Sequence, residues 1–186
     1  ELIAAGKIDV SAIEGGWERY AIRLVDRPGH GVRKALVIAG SDRRGTAYGL
    51  LSVSRVIGVS PWYWWADAPV KHRDRLTLRV EDFTSESPSV KYRGIFINDE
   101  DWGLYRWAKE NFEKELGNVG PKTYEKVCEL LLRLQANYLA PAMHDATTAF
   151  YKIPENKEIA DRYAIAVGSS HCEPLGLNTA SEWDTK

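Results

Sequence analysis

Hydrophobic and polar positions form a repeated pattern in the second half of the chain. Residues 92–102 are a short apolar run that ends in titratable groups, with the sequence YRGIFINDEDW. Residues 137–145 and 163–173 have the same form and carry His144 and His171 near their ends. Strands buried on both faces of a parallel sheet are continuously apolar, whereas adjacent carboxyl groups are costly to bury. The pattern therefore predicts three strands with polar groups at their carboxyl ends.

The segments between these runs have helical spacing. Residues 121–136 and 154–163 carry apolar groups at intervals of three and four, and Pro121 suits a first helical turn. A third helix is predicted to begin near Asn178. The order β-α-β-α-β demands parallel neighbours joined by right-handed crossovers, as in a doubly wound sheet or a (β/α)₈ barrel.

The first half is organised differently. Residues 17–25 and 34–39 have strand character, and residues 43–57 have helical spacing before Gly58. Residues 76–80 alternate apolar and polar groups and predict a last edge strand, and the polar residues 81–89 are the best linker candidate.

The predicted fold class is α/β with two domains. Residues 1–85 are expected to form one domain, and residues 86–186 a second domain that is either a doubly wound sheet or a barrel. A complete barrel needs about 250 residues, so a barrel in this chain would stop after its third unit.

Composition narrows the class of protein. Of 186 residues, 44% are hydrophobic and 27% charged, which is enough for a core. The formal net charge of −1 and the absence of a long basic run argue against nucleic-acid binding. No segment reaches the roughly 18 uninterrupted apolar residues of a membrane helix. Cys128 lies on the apolar face of its predicted helix and is expected to be buried.

Two motifs in the first half invite a sharper interpretation. The sequence between Gly40 and Thr46 approaches the phosphate-binding loop pattern but lacks its lysine, so nucleotide binding is rejected. An anion held by the helix start remains an alternative to a simple helix cap. The aromatic run at residues 62–65 could stack on sugars, but packing is favoured because alternate rings of an extended segment face opposite ways.

Candidate chemistry concentrates at the predicted strand ends. His144 and His171 could bind a metal together with Asp99 or Glu173, but no zinc signature matches, so no metal is expected. No strained elbow surrounds Ser170, which argues against a nucleophilic triad. Carboxylates at a barrel mouth suit glycosidic bond cleavage, for which Asp99 is the first candidate. A strand-end cap or salt bridge is the structural alternative for Asp99. If the strand geometry persists beyond Asp99, side-chain alternation predicts that Glu100 points away from this pocket.

At this point a resemblance becomes specific. The blocks GSDRRGTAYGL, IGVSPWYWWADAP, SVKYRGIFINDEDWGL, LLLRLQANYLAPAM, IADRYAIAVGSSHCEP and NTASEWD resemble, in order, those of family 115 glycoside hydrolases, the xylan α-glucuronidases. The similarity runs from about Lys34 to Asp184, over most of the chain. It implies that residues 1–85 are the end of a small N-terminal α/β sandwich domain and that residues 86–186 are the first three β/α units of a truncated (β/α)₈ catalytic barrel.

The resemblance also implies a reaction. It is the removal of glucuronic acid or its 4-O-methyl ether from glucuronoxylan, with inversion and without a cofactor. Asp99 and His171 would be catalytic, and Asn98, Glu173 and His144 would bind substrate. Many relatives carry tryptophan at the position of His144, which puts the sugar accepted in doubt.

The remaining expectations follow from the same resemblance. The second catalytic acid would come from a later barrel strand, so the fragment itself is expected to be inactive. The partner is expected to be glucuronoxylan or a related uronic-acid-bearing polysaccharide, not nucleic acid or a membrane, and the full-length protein could form a homodimer. A secreted or periplasmic location is implied by the family. The alternative is a carbohydrate-binding or scaffold module that keeps the fold without catalysis.

Overall fold

The computed structural model describes residues 1–98, 100–169, 177–178 and 181–183. The chain divides into two compact units, Glu1–Lys91 and Tyr92–Lys186. The assignment of these units to a sandwich domain and a barrel remains a prediction.

The first unit contains an antiparallel sheet with the strand order β2-β1-β3. The central strand β1 (Tyr20–Gly29) pairs along its length with β2 (Val32–Gly40) and at one end with β3 (Phe83–Thr84). The hairpin turn has left-handed backbone at His30 and Gly31, with φ of 52° and 76°. The two long strands confirm the predicted strand character of both segments.

The predicted helix after β2 is also present. It is α1 (Arg43–Val56), and it packs on β2 and β1. Its buried face includes Tyr48, and the Tyr20 and Ser52 hydroxyl groups lie 2.9 Å apart where the helix meets the sheet.

The prediction of an edge strand at residues 76–80 was wrong, because the third strand is β3, inside the predicted linker. Leu78 and Val80 are half-buried and line an apolar cavity of about 280 Å³ beside α1, but residues 76–80 form no ladder with the described residues. The alternation of apolar and polar residues thus reflects an extended segment that is buried on one side only. The polar residues after it hydrogen-bond to β1 instead, since the Tyr20 amide donates to Ser85 Oγ at 2.8 Å.

The second unit contains a parallel sheet with the order β4-β5-β6. Its strands are β4 (Gly94–Phe96), β5 (Tyr138–Ala140) and β6 (Ala166–Val167). The crossovers contain α3 (Pro121–Arg133) and α4 (Pro154–Arg162). The predicted β-α-β-α-β order is confirmed, although the strands are shorter than the apolar runs that indicated them.

Strands β4 and β5 lie close together, and hydrogen bonds join the residues just before them. Asn137 is buried, and its Oδ1 accepts from the Arg93 amide at 2.9 Å while its own amide donates to the Arg93 carbonyl at 2.8 Å. A side chain at Gly94 would overlap the Tyr138 carbonyl. Glycine is therefore required for these strands to pair in this register.

Helix α3 is held by its apolar face and by a side-chain cap. Tyr124, Val127 and Leu131 are buried on that face, and so is Cys128, as predicted. Burial raises the pKa of the Cys128 thiol to about 12. The buried Glu113 carboxylate accepts from several groups at the helix start: the amides of Gly120, Lys122 and Thr123 and the Thr123 hydroxyl.

A helical segment that the apolar pattern did not indicate follows β4. It consists of α2 (Tyr105–Trp107) between two wide, π-type turns, Glu100–Leu104 and Ala108–Phe112. This segment begins within a few residues of the strand end, so the acidic cluster lies at the junction between strand and helix.

Candidate active site

The carboxyl ends of β4 and β5 lie at one edge of the second sheet. Phe96 pairs with Ala140, and the Ile97 amide donates to the Ala140 carbonyl at 3.0 Å just beyond the paired residues. Asn98 follows and is exposed, as a ligand-binding residue at this edge would be. Asp99, the predicted catalytic residue, lies outside the described residues.

Glu100 joins the two strand ends. It is only 3% exposed, and its Oε1 accepts from the Met143 amide at 3.0 Å and the His144 amide at 2.8 Å. The condition under which Glu100 was expected to point away from the pocket of Asp99 is not met, because the chain has already left the strand and entered the wide turn at this residue. Side-chain alternation therefore no longer applies.

His144 lies at this edge with a carboxylate partner. Its Nδ1 is 2.6 Å from Asp101 Oδ2, and 63% of the His144 side chain is exposed against 32% of Asp101. The predicted strand end after β5 thus meets the acidic cluster after β4 in a direct side-chain contact.

The backbone between Ala140 and His144 is fixed from other directions as well. The Ala142 amide donates to the Tyr124 hydroxyl at 3.3 Å, and burial raises the pKa of that phenol. The buried Asn178 donates from Nδ2 to the Met143 carbonyl at 2.7 Å, while its Oδ1 accepts from the Ser181 amide at 3.0 Å. Asn178, where the third helix was predicted to begin, is thus tied to the mouth of β5.

The third strand ends at the same edge. β6 is parallel to β5, and the Gly168 amide donates to the Leu139 carbonyl at 3.0 Å. His171, Cys172 and Glu173 follow this strand in sequence but lie outside the described residues. Their convergence with Asn98 and His144 stays a prediction.

Among the described residues, no three His, Cys, Asp or Glu side chains are grouped as metal ligands. Asp99, His171 and Glu173, which were considered as ligands together with His144, lie outside this part of the chain. None of the described helices has the length and apolar character needed to cross a bilayer.

The loop between Gly40 and Thr46 is occupied by the chain's own acids. Asp42 caps α1, with Oδ1 accepting from the Gly45 amide at 2.8 Å and Oδ2 from the Glu18 amide at 2.7 Å. Arg44 Nε lies 2.5 Å from the carboxylate of the buried Glu18. This arrangement matches the interpretation of the loop as a simple helix cap.

The aromatic run at residues 62–65 is a turn, so the expected extended alternation of its rings was wrong. The Tyr63 amide donates to the Ser60 carbonyl and the Ala66 amide to the Trp62 carbonyl. Trp64 and Trp65 pack edge to face with their ring centres 4.9 Å apart. Two of the rings therefore pack on each other, whereas Trp62 is exposed and none of the four rings is fully buried, so the favoured packing in a core or between domains stays a prediction.

Sequence reasoning named Glu100 and Asn178 but gave neither of them a role in the site. Asn178 did carry a signal, since asparagine is a preferred N-cap residue at the start of a helix. The Glu182 carboxylate accepts from the Asn178 amide at 2.8 Å. Glu100 carried no comparable signal.

Parallel strands that end in carboxylates and a histidine define an α/β chain of the type that glycoside-cleaving enzymes use. The family model described as glycosyl hydrolase family 115 matches residues 85–186. The chain belongs to this family.

A solved structure supports the same assignment. It is described as "A novel family GH115 4-O-Methyl-alpha-glucuronidase, BtGH115A, with specificity for decorated arabinogalactans". The similarity has a TM-score of 0.83 at 45% identity and covers 98% of this chain but 24% of that one. The chain thus spans about a quarter of the length of this relative. No curated protein matches the sequence.

Proposed function

We propose that the longer protein containing this chain hydrolyses the bond that links glucuronic acid or its 4-O-methyl ether to a polysaccharide. Membership of family 115 carries the proposal. The parallel sheet supports it, because Asn98 and His144 follow the carboxyl ends of adjacent strands and the acidic cluster begins at the same edge. Glucuronoxylan is the first substrate to test. A uronic-acid-bearing arabinogalactan is the second, because the similar solved structure is that of a glucuronidase specific for decorated arabinogalactans.

The sheet of the second unit is inferred to be the first three strands of a (β/α)₈ barrel. Three parallel strands in sequential order with a helix in each crossover fit this architecture. The rest of the barrel would lie in the remainder of the longer protein.

The mechanism that fits is inverting hydrolysis. Asp99 acts as the base that removes a proton from water while that water attacks the anomeric carbon. A carboxylic acid from a later strand protonates the leaving oxygen as the glycosidic bond breaks. His171 assists catalysis, and Asn98, Glu173 and His144 bind the sugar, so no cofactor takes part. The fragment alone is inactive because it lacks the second acid.

The location and the oligomeric state of the longer protein are also part of this proposal. The longer protein is secreted or periplasmic, where plant polysaccharides are met, and could form a homodimer. Activity on soluble glucuronoxylan requires neither.

The experiment is an assay of the longer protein for uronic acid released from glucuronoxylan and from arabinogalactan. Asp99→Asn and Asp99→Ala should lower kcat by a factor of about 10² to 10⁴, the usual contribution of a general base. Glu158→Gln, at an exposed position on α4, is the matched control and should retain full activity.

The stereochemistry and the alternative function are decided in the same assay. Proton NMR of the first product should show the anomer opposite to the substrate linkage. Wild-type activity in Asp99→Ala would refute the assignment of Asp99. Binding of polysaccharide without release of uronic acid would favour the non-catalytic binding module.

A further inference from the structure

His144 is anchored at both its backbone and its ring. Glu100 Oε1 accepts from the His144 amide at 2.8 Å, and Asp101, the next residue, holds Nδ1 at 2.6 Å. The orientation of the imidazole is therefore set before any ligand arrives, although most of the ring is exposed. A side chain whose orientation is already fixed loses less conformational freedom when it binds a ligand.

The contact with Asp101 also selects a tautomer. A carboxylate beside Nδ1 favours the proton on that nitrogen, as it does in catalytic histidine–aspartate pairs. In the neutral ring, Nε2 is then the atom without a proton. The two ring nitrogens diverge, so Nε2 lies away from Asp101 and is available as a hydrogen-bond acceptor.

We propose that Asp101 is a positioning residue that holds His144 in the Nδ1–H tautomer, so that Nε2 accepts a hydrogen bond from a sugar hydroxyl group of the substrate. The choice of a sugar as ligand rests on the proposed function. A pyranose carries several hydroxyl groups, each of which can donate a hydrogen bond to such an acceptor.

Matched substitutions of His144 identify the nitrogen that acts. Asparagine places its amide near the position of Nδ1, whereas glutamine reaches the position of Nε2. If Nε2 binds the sugar, His144→Asn in the longer protein should raise KM about three- to tenfold, the effect of one lost hydrogen bond, and His144→Gln should raise it less. The value of kcat should change little in both variants.

Asp101→Asn tests the positioning role. An amide at residue 101 can donate to Nδ1 and so favours the proton on Nε2, which removes the acceptor. KM should rise to a similar extent as in His144→Asn, and the double variant should be no worse than His144→Asn alone. Glu110→Gln, at an exposed position on the same helical segment, is the control and should leave KM unchanged.

Chemical modification supplies a measurement that does not depend on turnover. Diethyl pyrocarbonate acylates the unprotonated imidazole nitrogen, and mass spectrometry of peptides reports His144 separately. Glucuronic acid should slow modification of His144 but not of His72, which is exposed and whose Nε2 contacts Asp74 at 3.0 Å. Asp101→Asn should slow modification of His144 without added sugar.

The outcomes separate this inference from the proposed function. Release of uronic acid with equal KM for the His144→Asn and His144→Gln variants and no protection by glucuronic acid would overturn the inference and leave the function standing. Protection of His144 with no release of uronic acid would support the inference while the catalytic proposal fails. Should a His144 variant not fold, protection in the wild-type protein decides the result.

Discussion

Replacing Glu100 by alanine should loosen the backbone that follows β5. The buried carboxylate is the acceptor for the Met143 and His144 amides. An amide left without an acceptor costs about 1–3 kcal/mol. Water can reach the partly exposed His144, so we take the lower end, about 2 kcal/mol for the two amides. Because about 1.4 kcal/mol corresponds to a factor of ten, local opening should become about 30 times more frequent.

Amide hydrogen exchange followed by mass spectrometry measures this opening in the longer protein. Peptides that contain Met143 and His144 should exchange about 30-fold faster in Glu100→Ala, with smaller changes elsewhere in the second unit. Glu100→Gln keeps one acceptor oxygen without the charge and should give an intermediate rate.

The control for this experiment is Glu110→Ala, which removes an exposed carboxyl group from the same helical segment. It should leave exchange at Met143 and His144 at the wild-type rate. Unchanged exchange in Glu100→Ala would refute the reasoning, since the Glu100 carboxylate would then not be holding the end of β5.

Three further predictions concern the second unit. Glu113→Ala should speed exchange of the amides that open α3 by at least about tenfold, because the carboxylate accepts from several of them, whereas Glu115→Ala should have no effect. Cys128 should resist iodoacetamide at pH 8 in the folded protein and react after denaturation, since its pKa of about 12 leaves almost no thiolate. Gly94→Ala should lower the yield of folded protein or its melting temperature, because the added methyl group overlaps the Tyr138 carbonyl; an unchanged melting curve would contradict the observed register.

The architecture of the second unit was predictable because each part had a local signal. Continuous apolar runs indicated buried strands, and the spacing of residues on α3 and α4 indicated the crossovers. Sequential parallel strands then follow from the handedness and length of such connections. The helical segment after β4 lacked such a signal, because its wide turns do not keep the usual helical period.

The third strand of the first unit was placed wrongly because alternation reports one-sided burial and not strand pairing. Leu78 and Val80 satisfy the alternating pattern by lining the cavity beside α1. Phe83 and Thr84 pair with β1 although their neighbours are polar, since Arg23 and Tyr20 supply hydrogen-bonding partners to this segment. Such pairing depends on groups about 60 residues away, which a local pattern does not contain.

The position of Glu100 shows why the end of a strand can be located from sequence while the side-chain contacts at that end cannot. The desolvation argument correctly placed the acidic cluster at the strand end, but it treated the three acids as alike and exposed. One of them is buried, because two backbone amides of the neighbouring strand end satisfy its charge, and the next one contacts His144 instead. Which acid is buried depends on where the wide turn begins, and a shift of one residue would exchange the roles of Glu100 and Asp101. The two variants should therefore have different effects. Glu100→Ala should speed amide exchange at Met143 and His144, whereas Asp101→Asn should change KM and leave that exchange at the wild-type rate.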